Sequence, residues 1–204
     1  MYNLEKNPLD EFPRHLKAEE IVNAHLVITA FNEYIEYPIA RRYLLKWFQA
    51  IHKKDHWRER SPEALLYFYE RIEMLFEGAK LLAEMPVSRR IDKVIVIDEE
   101  PTDLMSSILY YPNSGFLDAW EYFPRRLTRK EFLNPYLVFP KIFKKYDIGQ
   151  WRFILRELLC FGLSTTRMEC DYGFDTFLVN THIEKLLAAS SLIYTRGLLV
   201  KGED

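Results

Sequence analysis

Glycine is scarce in this chain, and its scarcity excludes more than any other feature. Seven glycines are scattered singly through 204 residues. No Walker loop, no dinucleotide-binding glycine fingerprint and no Gly-x-Ser-x-Gly elbow can be drawn from them. Cysteine is scarcer still: Cys160 and Cys170 are the only two. A disulfide-stapled scaffold is therefore out of reach. Cys160 falls in a strongly apolar stretch expected to be buried, which points to unpaired thiols and a reduced, cytoplasmic setting. No apolar run approaches the ~18 residues of a membrane span. The first residues, Met1 to Pro8, lack the basic and apolar segments of a secretory signal. The net charge of −2 gives no polyanion-binding signal by itself.

What the chain does have is bulk. Hydrophobic residues make up 49% and aromatics 15%, enough to fill a large core. The organising stretch is Leu127 to Leu163, which carries three helix starts. Thr128 and Glu131 have capping-box spacing. Asn134-Pro135 offers a cap followed by proline at the first helical position. Asp147 and Gln150 form a second capping box. The helix after Asp147 carries Ile148, Trp151, Phe153, Ile154, Leu155, Leu158, Leu159, Cys160 and Phe161 against a narrow stripe of Gly149, Arg152 and Arg156. A helix apolar on most sides is a buried one. Pro140 should kink or split the preceding helix near Phe139.

Other helices follow from apolar spacing. Glu19 to Ile35 carries Ile21, Ala24, Ile28, Phe31 and Ile35, and Pro38 ends it. Ala40 to about Lys54 points Tyr43, Leu44, Trp47, Phe48 and Ile51 inward. Ser61-Pro62-Glu63 starts a helix that runs to Met85, with Leu65, Phe68, Ile72, Leu75, Ala79 and Leu82 buried. The last helix spans about Asp175 to Arg196, with Val179, Ile183, Leu186, Leu187 and Ile193 inward and Gly197 as its stop. Val94 to Ile97 is β-branched and favours a strand. Its nearest partner is Ser107 to Tyr111, so 93–111 reads as a two-stranded ribbon or as a connector. The expectation is an all-α, irregular bundle of about six or seven helices around a buried central helix at 148–163. It forms one domain over 18–204, preceded by an arm at 1–17.

Chemistry is harder to find. His52 and His56 share a helix face, but Lys53 and Lys54 lie between them and no third ligand accompanies them. No Glu-x-x-His pair occurs. None of the residues five positions before a histidine (Asp10, Glu20, Trp47, Ile51, Phe177) is the arginine that one class of helical ribonucleases needs. His25 and His182 read as core-edge histidines. Glu70, Glu73, Glu77 and Glu84 read as a solvated helix face. No metal and no cofactor is expected.

Charge segregation is the one feature above background. Residues 41–60 hold seven Lys/Arg against two acids, and 125–156 hold nine against two. Residues 92–122 hold one lysine against seven acids. Arg42, Lys46, Gln49, Lys53 and His56 fall on one helix face, a surface that can follow phosphates. Arg125, Arg126 and Arg129 extend the basic set. The plainer explanation is that basic and acidic segments face each other or water. A helix-turn-helix over 128–159 is disfavoured, because its second helix would bury nearly all it should present to bases.

The sequence thus favours a non-catalytic interaction or accessory module with a protein partner or self-association, and no membrane. The alternative is a nucleic-acid-associated regulatory or mobile-element accessory protein using the 41–60 face. A third reading is an enzyme with a site assembled from separated residues, such as His182 with Glu184.

Overall fold

The structure is a computed structural model that describes residues 11–52, 57–86, 97, 106–112, 115–165 and 173–201 and, over 199–201, the backbone alone. Among the described residues it is all-α, with no strand. The helices are α1 (Ala18–Val22), α2 (His25–Tyr34), α3 (Tyr37–His52), α4 (Pro62–Glu84), α5 (Ala119–Tyr122), α6 (Arg129–Leu133), α7 (Val138–Lys145), α8 (Ile148–Leu163) and α9 (Thr176–Lys201). Short 3-10 turns occur at Ser107–Leu109 and Pro135–Leu137. The count exceeds the expected six or seven because two long segments are divided.

The first division is at Asn23. The expected helix from Glu19 to Ile35 breaks there: Asn23 is extended (φ −132°, ψ 86°), and its N–H closes α1 on the Glu19 carbonyl. The break turns Ile21 outward (44% exposed), while Ala24, Ile28, Phe31 and Ile35 are buried as the spacing required. The second division is before α7. The Asn134 side chain accepts from the Tyr136 N–H and starts the 3-10 turn, and the chain passes from 3-10 to α-helix at Val138. Pro140 is then the third residue of α7, where a backbone N–H has no intrahelical partner to lose. The expected interruption thus lies just before Pro140, not beyond it. Pro38 does not end α2 either. Ile35 is already extended, and Pro38 is the second residue of α3.

Both expected capping boxes form. Thr128 Oγ1 accepts from Glu131 N–H and Glu131 accepts from Thr128 N–H at 2.9 Å. Asp147 and Gln150 exchange two bonds of 2.9 Å. α8 packs against α4 and α3, with Trp151, Ile154, Leu155 and Leu158 enclosed. Gly162 lets α8 approach α3: a Cβ there would stand 2.8 Å from the Trp47 indole. That indole donates to the Leu158 carbonyl at 2.9 Å. The far side of α8 is open, and Cys160 is exposed rather than buried. Its apolar neighbours on the helix face inward while its own position, one turn after Arg156, faces out. The argument from a buried Cys160 to a reduced compartment therefore lapses; Cys170 lies outside the described residues.

The continuously enclosed stretch belongs to α9, where every residue from Leu186 to Ile193 is buried. α9 packs on α2, α3 and α7. It also runs through Gly197, the expected stop. A lone glycine costs a helix only about 1 kcal/mol. The adjacent Arg196, fully enclosed, fastens this end by donating to the Leu109, Phe132 and Leu133 carbonyls. Burial pushes its guanidinium down to about 10. The ribbon expected over 93–111 does not appear in its described part: Ser107–Leu109 is 3-10 helix, and Val94 to Val96 lie outside the described residues. Among the described residues no helix is long and apolar enough to cross a membrane.

Candidate binding site

Of the basic residues singled out by sequence, Arg42 and Lys46 are exposed on α3, one turn apart, with His52 exposed further along. Lys53 and His56 lie outside the described residues. Arg125, Arg126 and Arg129 are all exposed around α5 and α6. They do not form an open row of cations. Arg126 is paired with Glu184 of α9. Arg125 lies over the Trp120 ring, 5.0 Å from its centroid, and donates to the Trp120 carbonyl. Of the pair His182 and Glu184, Glu184 is paired with Arg126. His182 packs edge-on against Trp151 instead. Burial holds its imidazole below the usual range, with Lys185 adding to the effect and Glu131 opposing it.

The α4 carboxylates are not a solvated face. Glu70 and Glu84 are exposed, but Glu73 and Glu77 are buried. Glu77 is paired with Arg152 of α8 and accepts from the Arg14 and His15 N–H groups at 2.8 and 3.0 Å. Arg152, itself buried, also donates to the Phe12 carbonyl at 2.8 Å. His15 Nε2 lies 3.3 Å from Glu73. Burial and the neighbouring Glu73 raise the Tyr69 hydroxyl above the usual phenol range. This cluster clasps the N-terminal arm to α4 and α8.

A second buried carboxylate ties the bundle together. Glu131 closes the α6 capping box and accepts from Lys141 at 2.8 Å and Lys185 at 2.9 Å. Burial alone would raise its pKa. The bonds from Lys141, Thr128 N–H and Lys185 outweigh that and hold it at about 2, against 4.5 for a free side chain. A carboxylate with a depressed folded pKa stabilises the fold fully above its unfolded pKa. That contribution is lost as pH falls through the folded value. Glu131→Gln should therefore lower stability at neutral pH, and the gap from wild type should close between about pH 4.5 and about pH 2. Urea midpoints across that range measure it; a gap independent of pH would contradict the assignment.

A polar concavity among the described residues is of a different kind. A cavity of about 250 Å³ opens between the end of α2, the start of α3, Pro112, Phe116, α5 and α9. Glu33, Glu36 and Tyr37 form one wall; Ser191, Tyr194 and Thr195 form another, with Phe116 and Tyr122 between them. Tyr122 donates its hydroxyl to Glu36. Phe116, 91% exposed, stands at the rim. It follows Gly115, whose N–H donates to the Pro112 carbonyl and whose carbonyl accepts from the Tyr111 hydroxyl at 2.8 Å. A Cβ there would lie 2.6 Å from the Tyr111 ring, so a larger residue would displace that ring.

Two buried hydroxyls on this lining, Thr195 Oγ1 and Tyr37 OH, have no hydrogen-bond partner. The Arg41 guanidinium lies over the Tyr37 ring, 5.9 Å from its centroid, and acts on the Tyr37 hydroxyl, while its own Nη1 is unsatisfied. Burial raises the Tyr37 phenol despite Arg41. Burial and Glu33 raise that of Tyr194. Unsatisfied buried hydroxyls are uncommon in folded proteins and mark a place where water or ligand belongs.

Sequence reasoning missed this site because its residues come from four separated segments. One signal was present: Ser191, Tyr194 and Thr195 recur at helical spacing on one side of α9. Among the described residues no group of three or more His, Cys, Asp or Glu gathers to hold a metal. Comparison with family models, with curated proteins and with solved structures finds no match for this chain.

Proposed function

We propose that this protein works by binding, as an interaction or accessory module, and that the α2–α3–α9 cavity is its recognition site. The observation that carries this reading is a preformed cavity whose walls gather Glu33, Glu36, Tyr37, Ser191, Tyr194 and Thr195 from separated segments. Glu77 with Arg152, Glu131 with its lysines and Arg196 with three carbonyls hold elements together instead. Preformed concave sites with a few convergent polar groups are the usual form of a small-molecule site. A fragment screen read by backbone amide shifts tests the proposal. Saturable shifts at Ser191, Tyr194 and Thr195 are expected from at least one fragment. A library that leaves those amides unmoved would overturn it.

The nucleic-acid alternative keeps one specific support, the exposed Arg42 and Lys46 on one side of α3. Two phosphate contacts predict a slope of about −2 in log K against log salt on duplex DNA. The double alanine variant should flatten it while changing stability by no more than about 0.5 kcal/mol. Absence of binding at low salt would retire the alternative.

A further inference from the structure

The cavity has a definite electrostatic character, which narrows its ligand. Its lining carries two carboxylates, Glu33 and Glu36, and no lysine or arginine. Arg41 and Arg125 act on the Tyr37 hydroxyl, but neither lines the cavity. Three of the lining side chains are aromatic and open to a ligand cation, Phe116, Tyr122 and Tyr194; a fourth, Tyr37, already carries the Arg41 guanidinium over its ring. Aromatic faces attract cations through their negative π-surfaces, and the attraction grows where water is excluded. Carboxylates beside them supply the opposite charge. Ser191 and Thr195 add polar side chains to the opposite wall.

Resting on the binding function proposed above, we infer that the cavity takes a small organic ammonium ion, an amine or quaternary amine carrying a hydroxyl or similar polar group. The carboxylates and the rings select the positive charge; the wall formed by Ser191 and Thr195 faces the polar end. A cavity of about 250 Å³ lies just below the ~300 Å³ at which sites for drug-sized ligands begin, so the ligand is a compact one. An anion is disfavoured by Glu33 and Glu36.

Three probes test the inference on the full chain by titration calorimetry and amide shift mapping. They are choline, ethanolamine and 3,3-dimethylbutan-1-ol, the neutral counterpart of choline with the same shape. Choline or ethanolamine should bind saturably, with shifts at Ser191, Tyr194 and Thr195, and choline at least tenfold more tightly than its neutral counterpart. Glu33→Gln, an exposed position whose change should leave the melting temperature in place, should weaken ammonium binding about three- to tenfold. Glu36→Gln should weaken it further but also replaces the charged acceptor of Tyr122 by a neutral amide, so Glu33→Gln is the cleaner variant. Equal affinity for choline and the neutral alcohol, or no saturable binding of either amine, would overturn the inference. If neutral or anionic fragments still move the cavity amides, the binding function survives while the ammonium assignment falls. If nothing moves them, both fall.

Discussion

Glu77→Ala should destabilise the protein by about 3–5 kcal/mol, because it leaves a buried guanidinium without its closest carboxylate. The Arg152 and Glu77 side chains are 7% and 1% exposed. Glu73 approaches Arg152 only at 4.0 Å and cannot take over the bond. The same substitution removes the acceptor for the Arg14 and His15 N–H groups. Hydrogen exchange at those two amides should therefore accelerate along with the loss in urea midpoint. The double variant Glu77→Leu with Arg152→Met should recover much of the stability, since two apolar groups of similar size avoid the desolvation of both charges. It should not restore protection of the arm amides, whose acceptor is still missing. A loss below about 1 kcal/mol for Glu77→Ala would show that the pair is not the fastening described above.

Trp151→Ala should cost about 3–5 kcal/mol, the range for a fully enclosed aromatic whose removal leaves a cavity. Trp151 is inaccessible to solvent. Its ring packs 4.5 Å from Phe76 of α4, 5.4 Å from Tyr146 and 5.9 Å from His182 of α9. Its Nε1 donates to the Ile142 carbonyl at 3.3 Å. Four segments therefore lose a shared contact at once, and a drop of about 6–20 °C in melting temperature corresponds to that range. Trp120→Ala is the control: Trp120 is 50% exposed, so its loss should cost no more than about 1 kcal/mol. Equal effects at the two positions would mean that α8 is not seated between α3 and α4 as described.

The helical elements were largely legible in the chain because their causes are local. The hydroxyl and carboxylate of Thr128 and Glu131 lie three residues apart, and so do the side chains of Asp147 and Gln150; both capping boxes form from neighbours. The stripes of α3 and α4 recur at helical spacing and are buried where the spacing placed them. Boundaries were read less well. Asn23 interrupts a segment with continuous apolar periodicity, and Gly197 fails to stop α9 because Arg196 is docked on three carbonyls from distant segments. Neither outcome has a signature within its own stretch.

The sequence by itself determined an all-α chain, the main helix starts and the buried face of each long helix, since capping and amphipathic spacing act over a few residues. Tertiary structure alone decided the fate of the polar groups. It buried Glu73, Glu77 and Arg152, which look like solvated charges on their own helices, because pairing across α4 and α8 offsets a desolvation cost that no single helix could meet. It left Cys160 outside, paired Arg126 with Glu184, and gathered Glu33, Glu36, Tyr37, Ser191, Tyr194 and Thr195 around one cavity. Those outcomes depend on which helix faces meet, and residues more than 150 positions apart in sequence have no local means of announcing that they will.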